Sequence, residues 1–291
     1  MPLWQVVLLA VVQGLTELLP VSSSAHVIIV AELFHQKMST PANALLLVLL
    51  HTGTMFAVIV YFWSRWVKTF LSSWMEFLRF FKLVFVASLL SGVVGYPLIK
   101  VVERILGQDG KSAEIEALFS KLNWIAPALA VVGLLIIYAG LREARRPETV
   151  QREDQPGVGW AQAIVMGLIQ GIAIPFRGFS RSGSTISAGL LAGGTRADIE
   201  SFSFAMAVAI TPPAIAREAL RAFRGARLMG SSMPWSSALT PGLIGMVCAF
   251  VAGLLALRWL SRWLEQGRWH WFGIYCLVVA GAAGWLFHLG Y

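Results

Sequence analysis

Residues Gln13–His26 read QGLTELLPVSSSAH and set a carboxylate, three consecutive serines and an imidazole inside an apolar run that begins at Trp4. An acid such as Glu17, flanked by apolar residues on both sides, is tolerated at membrane depth only where it faces protein, water or a ligand. Pro20 ends the helix just before Ser22, Ser23 and Ser24. A helix broken at that depth exposes backbone groups, which is acceptable where the break lines a polar cavity and neighbouring helices bury it. A kinked core helix with one capping serine would explain Pro20. It would leave Glu17 and His26 without a reason.

Composition says what surrounds this stretch. With 57% hydrophobic and 13% charged residues over 291 positions, the chain is too apolar for a soluble globule and reads as a polytopic membrane protein. The net charge of +8 does not point to nucleic acid, because the basic residues sit mostly in short connections between apolar runs, as in loops that meet lipid headgroups. Cys248 and Cys276 both lie within apolar runs, so the expectation is core packing and neither a disulfide framework nor a zinc site. No basic n-region precedes Trp4, and no cleavable signal peptide is expected. Many of the twelve tryptophans stand near loop charges and read as interface anchors.

The first run, Trp4 to Leu19, is short for a span of about 20 residues, and Ala25 to Phe34 is shorter still. Together they predict a re-entrant hairpin that enters and leaves on one side. Full spans are predicted at about 41–62, 83–99 and 123–141, followed by a solvated linker at about 142–158 that mixes both charge signs with Pro and Gly. The chain then repeats itself. VVQGL at 11–15 returns as LIQGI at 168–172, Gln13 and Gln170 stand 157 residues apart, and so do Gln5 and Gln162. Further spans follow near 198–219, 240–256 and 269–289, the last about ten residues early. The expected architecture is therefore one all-α membrane domain over 1–291, with repeat one at about 1–141 and repeat two at about 159–291. Each half holds a re-entrant hairpin and three transmembrane helices. An odd number of crossings inverts the second half, giving an inverted-topology repeat. In this arrangement twelve Lys and Arg residues fall on one side, among them Arg65, Arg145, Arg196 and Arg262, against nine on the other. The richer side is taken as cytoplasmic, which puts both termini and the mouth of the first hairpin outside.

The second break, IPFRGFSRSGST at 174–185, clusters Ser180, Arg181, Ser182, Ser184 and Thr185 after Pro175, with Gly178 and Gly183 freeing the backbone. Hydroxyls, a guanidinium and the amides of a helix start make an anion site, and the planar fork of Arg suits phosphate. In inverted repeats, matched breaks meet near the midplane, where the functional site is built. At the 157-residue offset Ser24 pairs with Arg181. The halves thus specialise into an acid-hydroxyl-imidazole side and a cationic side.

QGLTELLPVSSSAH and GFSRSGSTIS resemble the two signature motifs of the bacitracin-resistance type of undecaprenyl pyrophosphate phosphatase, and the likeness extends through HTGTMFAVIVYFW and the ESFSFAMAV run. The resemblance implies a multi-pass inner-membrane enzyme that hydrolyses undecaprenyl pyrophosphate to undecaprenyl phosphate and inorganic phosphate, recycling the lipid carrier for cell-wall synthesis and conferring bacitracin resistance. The active site would face the periplasm. The partners implied are the polyprenyl pyrophosphate and membrane lipids, with a homodimer compatible. Glu17, Ser22, Ser23, Ser24 and His26 fall on the first motif, and Ser180, Arg181 and Ser182 on the second. Gln13 takes a place filled by Glu or Gln, Ala25 replaces the usual Gly, and Arg177 replaces the usual Pro.

Phosphoryl transfer needs a nucleophile, a proton acceptor and positive charge around the phosphoryl oxygens. Ser23 with His26 or Glu17 as base and Arg181 as clamp meets these needs, and so does water oriented by Glu17 and His26. Gln13, Ser22, Ser24, Arg177, Ser180, Ser182 and Thr185 are assigned to substrate binding. Glu17 is the expected ligand of a divalent cation, for which the resemblance favours Mg2+ or Ca2+. His51 could support the site from behind, but a buried, satisfied histidine is the preferred reading, and His35, His270 and His288 are read as interfacial. The alternative function is a polyprenyl-phosphate flippase or other secondary transporter, since paired broken helices also mark that architecture. Glu17, Ser23 and His26 together suit bond cleavage better.

Overall fold

The computed structural model describes residues 1–34, 41–106, 122–146, 157–176, 178–228 and 235–288. Among the described residues there are ten α-helices and no strand. The first five are α1 (Leu3–Leu18), α2 (Ser23–Leu33), α3 (Pro41–Thr69), α4 (Trp74–Leu106) and α5 (Leu122–Ala144). The second five are α6 (Trp160–Ala173), α7 (Arg181–Leu191), α8 (Arg196–Leu228), α9 (Trp235–Glu265) and α10 (His270–His288). Two short helices followed by three long ones thus occur twice, with lengths of 16, 11, 29, 33 and 23 residues and then 14, 11, 33, 31 and 19.

Six of the helices are long and apolar enough to cross a bilayer: α3, α4, α5, α8, α9 and α10. Helices α1 and α6 are as apolar, but at 16 and 14 residues they fall short of the roughly 20 that a span needs. The chain is a multi-pass, all-helical membrane protein. Its long helices outrun the expected spans: α3 continues past Phe62 to Thr69, and α4 begins at Trp74 and carries Pro97 inside it. Their ends are amphipathic, with Arg65, Lys68, Glu76 and Arg79 among aromatic residues, so they extend beyond the apolar stretch that hydropathy detects. Helix α8 runs through both Pro212 and Pro213 and is continuous from Arg196 to Leu228. Linker residues 147–156 lie outside the described residues.

Two compact units make up the chain, and α3, α8 and α9 contribute residues to both. The first comprises Met1–Leu18, Ser23–Phe62 and Ala207–Trp259. Its core joins Val6, Leu9 and Ala10 of α1, Val27 of α2, Leu46 and Leu50 of α3 and Ala249 of α9. Small residues let these backbones approach, as is usual where lipid removes the hydrophobic drive between helices. Gly14 of α1 lies so near α9 that a Cβ there would stand 2.6 Å from the Ala249 carbonyl oxygen, and Gly53 of α3 abuts the Met246 carbonyl in the same manner.

The second unit comprises Leu19–Ser22, Trp63–Met206 and Leu260–Tyr291. Ile125, Leu129, Val132 and Ile136 form the buried stripe of α5, and Gly133 meets Gly273 of α10 backbone to backbone. Helix α4 turns Leu83, Ala87 and Ser91 inward, and Ser91 donates to the Gly167 carbonyl of α6 while accepting from Gln170. Its opposite stripe, Phe81, Phe85, Leu89, Val93 and Tyr96, is exposed. An apolar stripe of this length without a protein partner faces lipid.

Candidate active site

In the first unit, α1 and α2 form a packed pair of short helices. Gln13 and Glu17, four residues apart, share one face of α1, and Gln13 Nε2 donates to Glu17 Oε2 at 3.0 Å. Ser23 opens α2, and its hydroxyl donates to the same Glu17 oxygen at 2.5 Å. That is the short, charge-assisted range for a hydroxyl on a carboxylate. Gln13 is buried while Glu17, Ser23, Ser24 and His26 are half-buried, so the carboxylate is held from behind by an amide and reached from the front. Ser23 and His26 stand three apart and share a face of α2.

A residue not chosen from sequence joins this cluster. His51 of α3 places Nε2 at 3.7 Å from Glu17 Oε2. Its other ring nitrogen, Nδ1, lies 2.8 Å from the Leu47 carbonyl. A carbonyl oxygen only accepts, so Nδ1 carries the hydrogen. His51 is half-buried and belongs to the acid-hydroxyl cluster, in place of the buried, satisfied histidine expected. The signal that could have found it is polar density, since HTGT puts an imidazole and two hydroxyls into one turn of an otherwise apolar span.

The loop between α1 and α2, Leu19–Ser22, belongs to the second unit. Ser22 adopts a left-handed backbone conformation with φ of 68°, a costly state for a residue with a side chain. Ser182 donates to the Leu19 carbonyl at 3.3 Å, and the Cys276 thiol donates to the Pro20 carbonyl at 3.3 Å. Cys276 is thus a buried free thiol with a polar task besides packing.

The second break lies wholly in this unit. Helix α6 ends at Ala173, and Gly178 turns the chain with φ of 96°; a Cβ there would meet the Ile125 carbonyl at 2.7 Å. Ser180 caps α7 by accepting from the Gly183 amide. Arg181 is then the first residue of α7, at the positive end of the helix dipole. Ser184 and Thr185 both donate to the Arg181 carbonyl, at 3.0 and 2.8 Å. With its one proton so committed, Thr185 accepts from Ser203, 2.6 Å away. Ser180, Ser182 and Thr185 are all buried, and Arg181 is half-buried. Arg177, expected to bind substrate, lies outside the described residues, as does His35.

Among the described residues no group of three or more His, Cys, Asp or Glu side chains is placed to hold a metal ion. Glu17 and His51 supply an oxygen and a nitrogen, and Ser23 a hydroxyl. This donor set fits a cation that completes its shell with water or phosphate oxygens, in the way hard ions bind at phosphoryl-transfer sites.

The fold and this site define a polytopic helical membrane protein that presents a carboxylate, a hydroxyl and an imidazole in one unit and an arginine at a capped helix start in the other. Residues 6–282 match the family described as Bacitracin resistance protein BacA, and the chain belongs to that family. It is 46% identical over 283 residues to "Undecaprenyl-diphosphatase 2" of Acinetobacter baylyi, covering 97% of this chain and 96% of that protein. It is 33% identical to "Undecaprenyl-diphosphatase" of Rhodopirellula baltica, with 94% and 93% covered, and 34% identical to "Undecaprenyl-diphosphatase 2" of Burkholderia ambifaria, with 98% and 97% covered.

Proposed function

We propose that this chain hydrolyses undecaprenyl pyrophosphate to undecaprenyl phosphate and inorganic phosphate, recycling the lipid carrier of cell-wall synthesis and conferring bacitracin resistance. The observation that carries the chemistry is the 2.5 Å hydrogen bond from Ser23 to Glu17. A hydroxyl that donates to a carboxylate has a base at hand to take its proton, which is what an activated nucleophile needs. Ser23 Oγ attacks the terminal phosphorus; the new O–P bond forms as the bridging P–O bond breaks, the serine proton passes to Glu17, and the lipid monophosphate leaves. Water then hydrolyses the phosphoserine, with His26 on the same face of α2 as its proton acceptor. Gln13 holds Glu17 in place throughout. A bound divalent cation at Glu17, Mg2+ or Ca2+ on the family resemblance, supplies neutralisation of phosphate charge.

Arg181 clamps the departing phosphoryl group, with Ser180, Ser182 and Thr185 fixing the helix start that presents it. Support comes from the helix start itself, since Arg181 is the first residue of α7, where unpaired amides favour an anion. Ser22, Ser24 and Arg177 are assigned to substrate binding. The transporter reading is not favoured, since the relatives are named diphosphatases and a carrier has no use for an activated serine.

The same proposal extends to the membrane. The repeated order of two short and three long helices supports two halves of opposite orientation, each opening with a re-entrant hairpin. At one end of the second unit, Arg65 pairs with Asp198, and Arg196 bonds Glu143 and the Glu265 carbonyl. These ties group the ends of α3, α5 and α9 with the start of α8, as the cytoplasmic assignment of their basic residues requires. The first hairpin then faces the periplasm. The enzyme works in the inner membrane, and a homodimer is compatible with this arrangement.

Phosphate release from undecaprenyl pyrophosphate by the purified protein tests the activity. Glu17→Gln, Ser23→Ala and Arg181→Ala should each lower kcat by orders of magnitude, at least the roughly 100-fold typical of losing one catalytic group. A Ser23→Ala enzyme of normal turnover would make water the nucleophile.

A further inference from the structure

We infer that Ser203 of α8 is a positioning residue for the reaction, acting through Thr185 to set the orientation of Arg181 at the start of α7. Ser203 belongs to the ESFSF run at 200–204, whose five residues are all buried. Two hydrogen bonds carry the inference. Thr185 Oγ1 donates to the Arg181 carbonyl at 2.8 Å. A hydroxyl has one hydrogen to give, so the 2.6 Å contact between Thr185 and Ser203 uses the Ser203 proton. Donation therefore passes from Ser203 to Thr185 and from Thr185 to the Arg181 carbonyl.

This chain can act on Arg181 for three reasons. A threonine in a helix divides between two side-chain wells, and an oxygen bonded at 2.6 and 2.8 Å is fixed in the well that reaches back to Arg181. The peptide unit is planar, so the direction of the Arg181 carbonyl also sets the direction of the Ser182 amide, one of the donors that a helix start turns toward an anion. Ser184 shares the Arg181 carbonyl at 3.0 Å, but among the described residues only Thr185 ties that carbonyl to another helix. The far end of the chain is firm. One turn before Ser203, Glu200 accepts from Ser261 at 2.6 Å; Trp66 Nε1 donates to the Ser201 carbonyl at 3.3 Å, and Asp198 pairs with Arg65 at 3.1 Å. All of these groups lie in the second unit, so the first turns of α8 form a fixed support for the first turn of α7.

The inference rests on Arg181 as the phosphoryl clamp, and one arm of its test needs no turnover. Orthovanadate takes the five-coordinate geometry of a phosphoryl group in transfer, so its affinity for the purified protein in detergent, followed by vanadium NMR, reads the clamp without substrate. A misplacement of about 1 Å costs about 100-fold, and loss of one supporting hydroxyl is a smaller disturbance. Ser203→Ala should therefore weaken vanadate binding about tenfold and lower kcat for phosphate release about tenfold, with KM within about twofold of wild type. Thr185→Val, which keeps the shape and removes the hydroxyl, should do the same, whereas Thr185→Ser should stay near wild type. The double variant Ser203→Ala with Thr185→Val should be no worse than Thr185→Val alone, because both act along one chain. Ser187→Ala is the control: farther along α7, Ser187 accepts from Trp269 Nε1 at 3.0 Å, and its loss should lower the unfolding temperature but leave vanadate affinity and kcat unchanged. Normal vanadate affinity in Ser203→Ala, losses that multiply in the double variant, or an equal loss in Ser187→Ala would each overturn the inference. So would a wild type that binds no vanadate. Phosphate release by the wild type, measured separately, leaves the hydrolase reading standing in all of these cases. A wild type that releases no phosphate, with vanadate binding following the expected pattern, would sink the hydrolase reading alone.

Discussion

Replacing Gly14 by Ala tests whether helix packing sets the position of Glu17. An added Cβ would stand 2.6 Å from the Ala249 carbonyl oxygen, 2.7 Å from the Ala252 Cβ and 3.1 Å from the Ala249 Cα. None of these is the end of a flexible side chain, and carbon contacts settle near 3.5–4.0 Å, so α1 and α9 must part by about 1 Å. Overpacking of this kind costs about 1–3 kcal/mol, and the better helix propensity of Ala returns about 1 kcal/mol, for a net loss of up to about 2 kcal/mol. The larger effect should be on rate. Glu17 lies three residues on, and its bond to Ser23 depends on the placement of α1 beside α2. A displacement near 1 Å in a catalytic group can cost about 100-fold. Thermal unfolding in detergent and kcat for phosphate release are the two readouts. Gly281→Ala is the control, because nothing lies within 4 Å of a Cβ there. If Gly14→Ala matched wild type in both, the close approach of α1 and α9 would not be what positions the acid.

Three further outcomes are expected. Glu143 is buried with two arginines on its carboxylate, at 3.2 and 3.5 Å, so Glu143→Ala should lower the unfolding midpoint by several degrees and Glu143→Gln by less; equal effects would mean that shape and not charge matters there. The cost belongs at the lower end of the roughly 3–5 kcal/mol for a broken buried pair, since both arginines also bond backbone carbonyls. Single cysteines at Lys37 and Arg145, in a background lacking Cys248 and Cys276, should be labelled from outside and inside respectively, and the reverse pattern would invert the orientation. Arg177→Pro should raise KM and leave kcat nearly unchanged if Arg177 binds the phosphate that stays on the lipid. Unchanged kinetics would remove it from the site and leave it a headgroup contact.

Much of this protein is written in local pattern. Apolar length alone marks the spans, because lipid tolerates only helices whose backbone bonds are internal. Glu17, Pro20 and the serine run mark the first break by the cost of polar groups among apolar neighbours. The pairing of Gln13 with Glu17 is legible too, since helix geometry brings residues four apart together. What lies across helices was not legible. His51 stands 34 residues from Glu17, and the two meet in a unit where Gly14 and Gly53 let α1 and α3 each close against α9. The bonds of Ser182 to Leu19 and Cys276 to Pro20 span 163 and 256 residues. Periodicity speaks for the face a residue takes on its own helix. Which faces meet is decided by the shapes of small residues on neighbouring helices, and that exists only once the helices are packed.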